Sequence, residues 1–87
     1  MDINDVTGVR VLARYIVELT FESDEVRVLD LEPLMVGPVF EPLLADYTLF
    51  LAVRADAQAG TLVWPNGADM SPQTLYANSR DAVPHAS

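Results

Sequence analysis

The chain contains no cysteine and no lysine, and its one histidine, His85, stands near the C-terminal end between Pro84 and Ala86. Without cysteine there is neither a disulfide framework nor a thiolate metal site, a composition that suits a reducing cytoplasm. A lone tail histidine reads as solvent-exposed, so Ser-His-Asp and Cys-His arrangements are excluded. The five basic residues, Arg10, Arg14, Arg27, Arg54 and Arg80, are scattered among 13 acids and leave a net charge of −8. No cluster of cations is available for phosphates, which argues against direct nucleic-acid binding. The four glycines, at 8, 37, 60 and 67, lie too far apart to form a phosphate-cradling loop. The longest apolar-rich run, "YTLFLAV", falls well short of the roughly 20 residues of a membrane span. Met1 is followed by "DINDV", with no basic start and no apolar run, so no signal peptide is expected. Asp2 with Asp5, or Asp24 with Glu25, could offer oxygens to a weakly held calcium ion, but no EF-hand loop is present and such runs are usually solvated.

What is present fits one small domain. At 87 residues the chain sits near the size at which only about 60% of the unfolded surface can be buried. We expect a compact α+β unit over residues 1–79 and a flexible tail over 80–87. Hydrophobic residues make up 51% of the chain and mean hydropathy is +0.20, high for so small a domain. Two explanations stand side by side: a homodimer or partner surface, or a generous core of Val and Leu.

Residues 6–31 read as a three-stranded meander. In "YIVELTF", Tyr15, Val17, Leu19 and Phe21 alternate with polar residues, the period of a half-buried strand. "VRVLDL" follows the polar turn "ESDE". Pairing Phe21 with Val26 puts Leu19 opposite Val28 and Thr20 opposite Arg27, and points Asp30 toward the buried face beside Val17. A three-residue connection, Leu12-Ala13-Arg14, would pair Val11 with Tyr15 and Val9 with Val17. A two-residue turn would turn both valines outward. Pro33, Pro38 and Pro42 exclude one continuous helix, but Pro42 suits the first turn of a short helix carrying Leu43 and Leu44. "LFLAVRA" reads as a buried strand, "DAQAG" as a hairpin loop and "GTLVW" as the neighbouring strand.

"TLVWPNGADMSP" then reads as a corner. Trp64 closes a strand, Pro65 stops the ladder for want of an N–H, and Asn66-Gly67 tolerates positive φ. Ser71 caps a helix running to about Asn78, with Pro72 in its first position and Leu75, with Tyr76 as a second candidate, as its anchor on the sheet. Only Asp69 lacks a structural role. Among the acids, Asp30 is the most interesting, and its bland reading is a satisfied cap ahead of "LEPL".

Three blocks, "LTFESDEVRVLDLEPL", "GPVFEPLLADYTLF" and above all "GTLVWPNGADMSPQTLY", resemble the small bacterial proteins grouped as domain of unknown function 2442. The likeness spans roughly residues 6–76. It implies an antiparallel sheet with a C-terminal helix, and it brings no established catalytic residues. Some relatives carry a helix-turn-helix region after this domain, which is not expected here. "FESDE" departs from the family's Gly-containing "F-x-D-G-E". The resemblance also implies a neighbouring small protein, with members suggested to be antitoxins of such pairs.

The expected function is therefore a non-enzymatic interaction domain, with no cofactor, no metal and no catalytic residue. Its expected partners are a second copy, a small basic protein, or both. The alternative is a small-ligand-binding or housekeeping domain with a site near the corner, built from Trp64, Asn66 and Asp69.

Overall fold

The computed structural model describes residues 5–82. The fold is α+β, with two antiparallel sheets. Strands β1 (Val6–Ala13), β2 (Ile16–Phe21) and β3 (Val26–Asp30) form the meander. Two 3-10 turns, Glu32–Leu34 and Pro38–Phe40, lead into α1 (Glu41–Ala45) and α2 (Tyr47–Leu51). Then come β4 (Arg54–Asp56), β5 (Thr61–Val63), β6 (Asp69–Met70), α3 (Pro72–Asn78) and β7 (Arg80–Asp81). One sheet has the order β1-β2-β3-β7 and the other β4-β5-β6.

The core lies on one face of the larger sheet. Val17, Leu19, Phe21 and Leu29 meet Leu43, Phe50, Leu62, Trp64 and Leu75 there, from the helices and the smaller sheet. Each side chain so removed from water contributes about 1.5–3 kcal/mol. The sheets are stitched where the Val6 N–H donates to the Gly60 carbonyl at 2.9 Å. Gly60 has φ +73°, and a Cβ there would run into the Asp5 side chain, so the position requires glycine.

The meander forms with both registers changed. Thr20 pairs with Val26, Leu19 with Arg27 and Val17 with Leu29, one residue from the expected alignment. The cause is a three-residue loop, Glu22-Ser23-Asp24, closed by Asp24 at φ 69° and by the Phe21 N–H donating to the Glu25 carbonyl at 2.9 Å. A one-residue slip exchanges faces. Leu29 therefore enters the core, while Val26, Val28 and Asp30 move to the opposite face. Asp30 is exposed, which corrects its expected burial beside Val17.

In the first hairpin Val11 pairs with Val17 and Val9 with Leu19, two residues from expectation and on the expected face. The turn has two residues, Arg14-Tyr15, with Arg14 at φ 49°. A β-bulge at Leu12 restores the alternation that a plain two-residue turn would have broken.

The "LFLAVRA" strand is a second correction. Asp46 is extended and its Oδ1 accepts the Thr48 and Leu49 N–H groups at 3.0 and 3.4 Å, which starts a helix at Tyr47. Strand structure begins only at Arg54. The expected helix after Ser71 forms, with the Ser71 Oγ accepting the Thr74 N–H at 3.3 Å. Beyond it, Arg80 and Asp81 pair with Val28 and Arg27, where a tail was expected from residue 80. The rest of that tail, with His85, lies outside the described residues. No helix among the described residues is long and apolar enough to cross a membrane.

Candidate functional site

The "WPNGAD" stretch forms the turn joining β5 to β6. The Trp64 N–H donates to the Ala68 carbonyl at 2.9 Å, and Gly67 takes φ +92°. The indole is 4% exposed and packs edge-on to Phe40, with Phe50 tilted against it. Its Nε1 donates to the Phe50 carbonyl at 3.0 Å. The Asn66 amide is engaged at both ends, donating to the Val39 carbonyl at 2.9 Å and accepting from the Ala68 N–H at 3.2 Å. Of the three candidate binding residues, only Asp69 presents an exposed side chain with no hydrogen bond among the described residues. The corner ties β5 to the segment before α1, with most of its polar atoms already matched.

The remaining acids are dispersed. Asp30 Oδ1 accepts the Glu32 N–H at 3.0 Å and so caps the turn into "EPL". Asp24 serves the β2–β3 loop, and Glu25 is held by Arg27 and Tyr76. Asp2, half of one suggested calcium pair, lies outside the described residues. Among the described residues no group of three or more His, Cys, Asp or Glu sits where it could hold a metal ion.

One constellation escaped the sequence reading. The β2–β3 register places Arg27 on the core face at its edge, beneath α3. The Arg27 Nε donates to Ser79 Oγ at 2.7 Å, and Nη2 donates to the Ser79 carbonyl at 2.8 Å. Nη1 reaches Glu25 at 3.2 Å and Asp81 at 2.9 Å. The guanidinium lies 4.3 Å from the centre of the Tyr76 ring. The Tyr76 hydroxyl donates to both Glu25 carboxylate oxygens at 3.0 Å. That bond, with burial and the Glu25 charge, holds the phenol above its ordinary value of 10. Every polar atom of Arg27 is committed, so the cluster is a fastener between β3, α3 and β7.

Two surfaces remain. Val36, Val39, Leu44, Tyr47 and Leu51 are large, exposed and drawn from one stretch of chain. Between Val36 and Val53 the ionisable side chains other than Tyr47 are Glu41 and Asp46, both acidic. Tyr47 reaches across to donate to the Arg14 carbonyl at 2.6 Å, which brings this band to the β1–β2 turn, where Leu12 is also exposed. The second surface is the outer face of the four-stranded sheet. There a cleft of about 330 Å³ is lined by Ile16, Val28, Asp30, Asn78 and Arg80, among others.

The sequence profile of the family described as "Protein of unknown function (DUF2442)" matches residues 6–81. The chain belongs to that family. No curated protein matches it, and no solved structure does.

Proposed function

We propose that this member of the DUF2442 family is a non-enzymatic, cytoplasmic protein-interaction domain that docks a small basic protein through the band on α1, α2 and the turn before them. The observation that carries this reading is the band itself: five large apolar side chains left in water, on a stretch from Val36 to Val53 whose only charged side chains are the acids Glu41 and Asp46. Exposed apolar patches of this kind mark interfaces. Desolvating Tyr47, Leu44 and Leu51 would supply affinity. The net charge of −8 would speed encounter with a cationic partner and repel an acidic one. The resemblance to antitoxin-like halves of bacterial two-gene modules fits such a partner. A ligand site at the Trp64–Asp69 corner has less support, because the indole is buried and the Asn66 amide is engaged.

The test is co-expression with the product of the adjacent reading frame. A short, strongly basic product that arrests growth alone should be silenced by this chain and should co-purify with it. Leu44→Asp with Leu51→Asp should abolish both effects while leaving the melting curve near wild type. Rescue and co-purification that survive the double substitution would remove this surface from the reading. An adjacent product that neither binds nor is silenced would remove the reading itself.

A further inference from the structure

We infer that the outer face of the four-stranded sheet is where a second copy of this chain docks, forming an isologous dimer in which Arg80 of each copy meets Asp30 of the other. The inference is independent of the basic partner and uses the opposite side of the sheet from the core. One row crosses all four strands, Arg10 beside Glu18 beside Val28 beside Arg80. Asp30 lies two residues along β3 from Val28, on the same face. The face thus carries two of the five arginines and two of the 13 acids. It is electrically neutral on a chain of net charge −8. Like molecules can meet there without net repulsion, whereas two copies of the α1–α2 band would set Glu41 and Asp46 against themselves.

The charges also have the arrangement that a two-fold axis needs. Arg10 and Glu18 satisfy each other at 3.2 Å. Arg80 has no side-chain partner among the described residues, and Asp30 uses only Oδ1, on Glu32. Arg80 and Asp30 stand at diagonal positions, flanking the 330 Å³ cleft. An isologous contact brings residue i onto j and j onto i. An in-plane axis midway between Arg80 and Asp30 therefore places each on its opposite in the other copy. Val28 neighbours both residues, so it falls close to that axis and packs on its own counterpart. The same rotation carries Ile16 toward a second depression of about 390 Å³, lined by Val28, Arg80, Asp81 and Ala82. Glu18 approaches its copy with Arg10 attached, so no uncompensated acid is buried.

The test is sedimentation equilibrium of the full chain with charge exchange. The wild type should dimerise. R80D and D30R should each weaken the dimer by about tenfold or more, because each sets like charges together. The R80D/D30R double variant should recover most of the loss. A wild type that stays monomeric at millimolar concentration overturns the inference. So does a dimer indifferent to the single exchanges, or a double variant no better than either single. Since D30R also touches the cap on Glu32, a second measurement avoids the charges. The chain has no cysteine, so V28C should oxidise to a covalent dimer of full yield while L51C should not. The reverse preference would place the interface on the helices and refute the assignment.

Discussion

At the Trp64 corner a ring 4% exposed has its one polar atom matched by the Phe50 carbonyl. At the Arg27 junction a side chain 15% exposed has every polar atom matched, two by Ser79 and the third by Glu25 and Asp81 carboxylates that are themselves 39% and 38% exposed. Both places bind remote segments together. The corner joins β5 to α2 and the turn before α1, and the junction joins β3 to α3 and β7. They differ in what is left behind when the central side chain is removed. The corner would be left with a dry void, and the Phe50 carbonyl would keep only its backbone donors, the Val53 N–H at 3.1 Å among them. The junction would be left with two acids that water can reach.

That difference orders the expected effects. Trp64→Ala should be the most damaging change, at roughly 3–5 kcal/mol, because the cavity cannot refill. Loss of that size unfolds a domain this small near physiological temperature. Trp64→Phe keeps most of the volume and removes one donor from the Phe50 carbonyl, which retains the Val53 N–H, and should cost about 0.5–1.5 kcal/mol. Denaturant titrations of the two variants measure both figures. If they were equal, the hydrogen bond rather than the packing would dominate the corner.

Arg27→Met comes next after Trp64→Ala, at about 2 kcal/mol. Breaking a fully buried pair costs roughly 3–5 kcal/mol, and solvent access to Glu25 and Asp81 reduces that. Unlike the Trp64 variants, this loss should shrink at high salt, since screening already weakens the pairs in the wild type. Arg27→Lys should recover only part of it, because an ammonium cannot hold Ser79 by two parallel donors. A full rescue by lysine would mean that charge alone, without the fork, holds α3 down.

Asn66→Ala should cost about 1 kcal/mol, the net value of its bonds to Val39 and Ala68.

The two regions also differ in how far the sequence betrays them. The corner's signals are contiguous: a Trp, a Pro, an Asn-Gly pair and a Ser-Pro helix start fall within twelve residues, from Thr61 to Pro72, and each constrains its own backbone locally. The junction draws on Glu25, Arg27, Tyr76, Ser79 and Asp81, which only the tertiary fold brings together. Its assembly depends on the β2–β3 register, and that register turns on Asp24 adopting positive φ in a loop without glycine. Hydrophobic alternation alone accepts either alignment of "VRVLDL". With Asp30 inward the junction does not exist, and with Leu29 inward Arg27 lands under α3. The helix at Tyr47 was hidden for a related reason. "LFLAV" has the composition of a strand, and the decisive group is one carboxylate, Asp46, bonding two residues ahead. The α+β class, the corner and the Ser71 cap were legible because local chemistry and global fold agree there.

The smallest effect sharpens the comparison by pH, through the Tyr76 phenol of the junction. The Tyr76 phenol donates to Glu25, and ionising it would set two negative oxygens together, so its pKa is raised above 10. A raised folded-state value means that the fold favours the protonated form. The resulting stabilisation is complete below the unfolded value near 10 and is lost as pH rises through the higher folded value. The melting temperature of the wild type should therefore exceed that of Tyr76→Phe at neutral pH, and the gap should close in the alkaline range above pH 10. The wild-type-minus-variant tyrosinate absorbance isolates this phenol from Tyr15 and Tyr47, and its midpoint should lie above 10. The Trp64 variants should carry no such signature, because neither the indole nor the Phe50 carbonyl it binds exchanges a proton in this range. A midpoint at or below 10 would show that Tyr76 does not hold Glu25 in solution, leaving Arg27 alone to fasten α3 to the sheet.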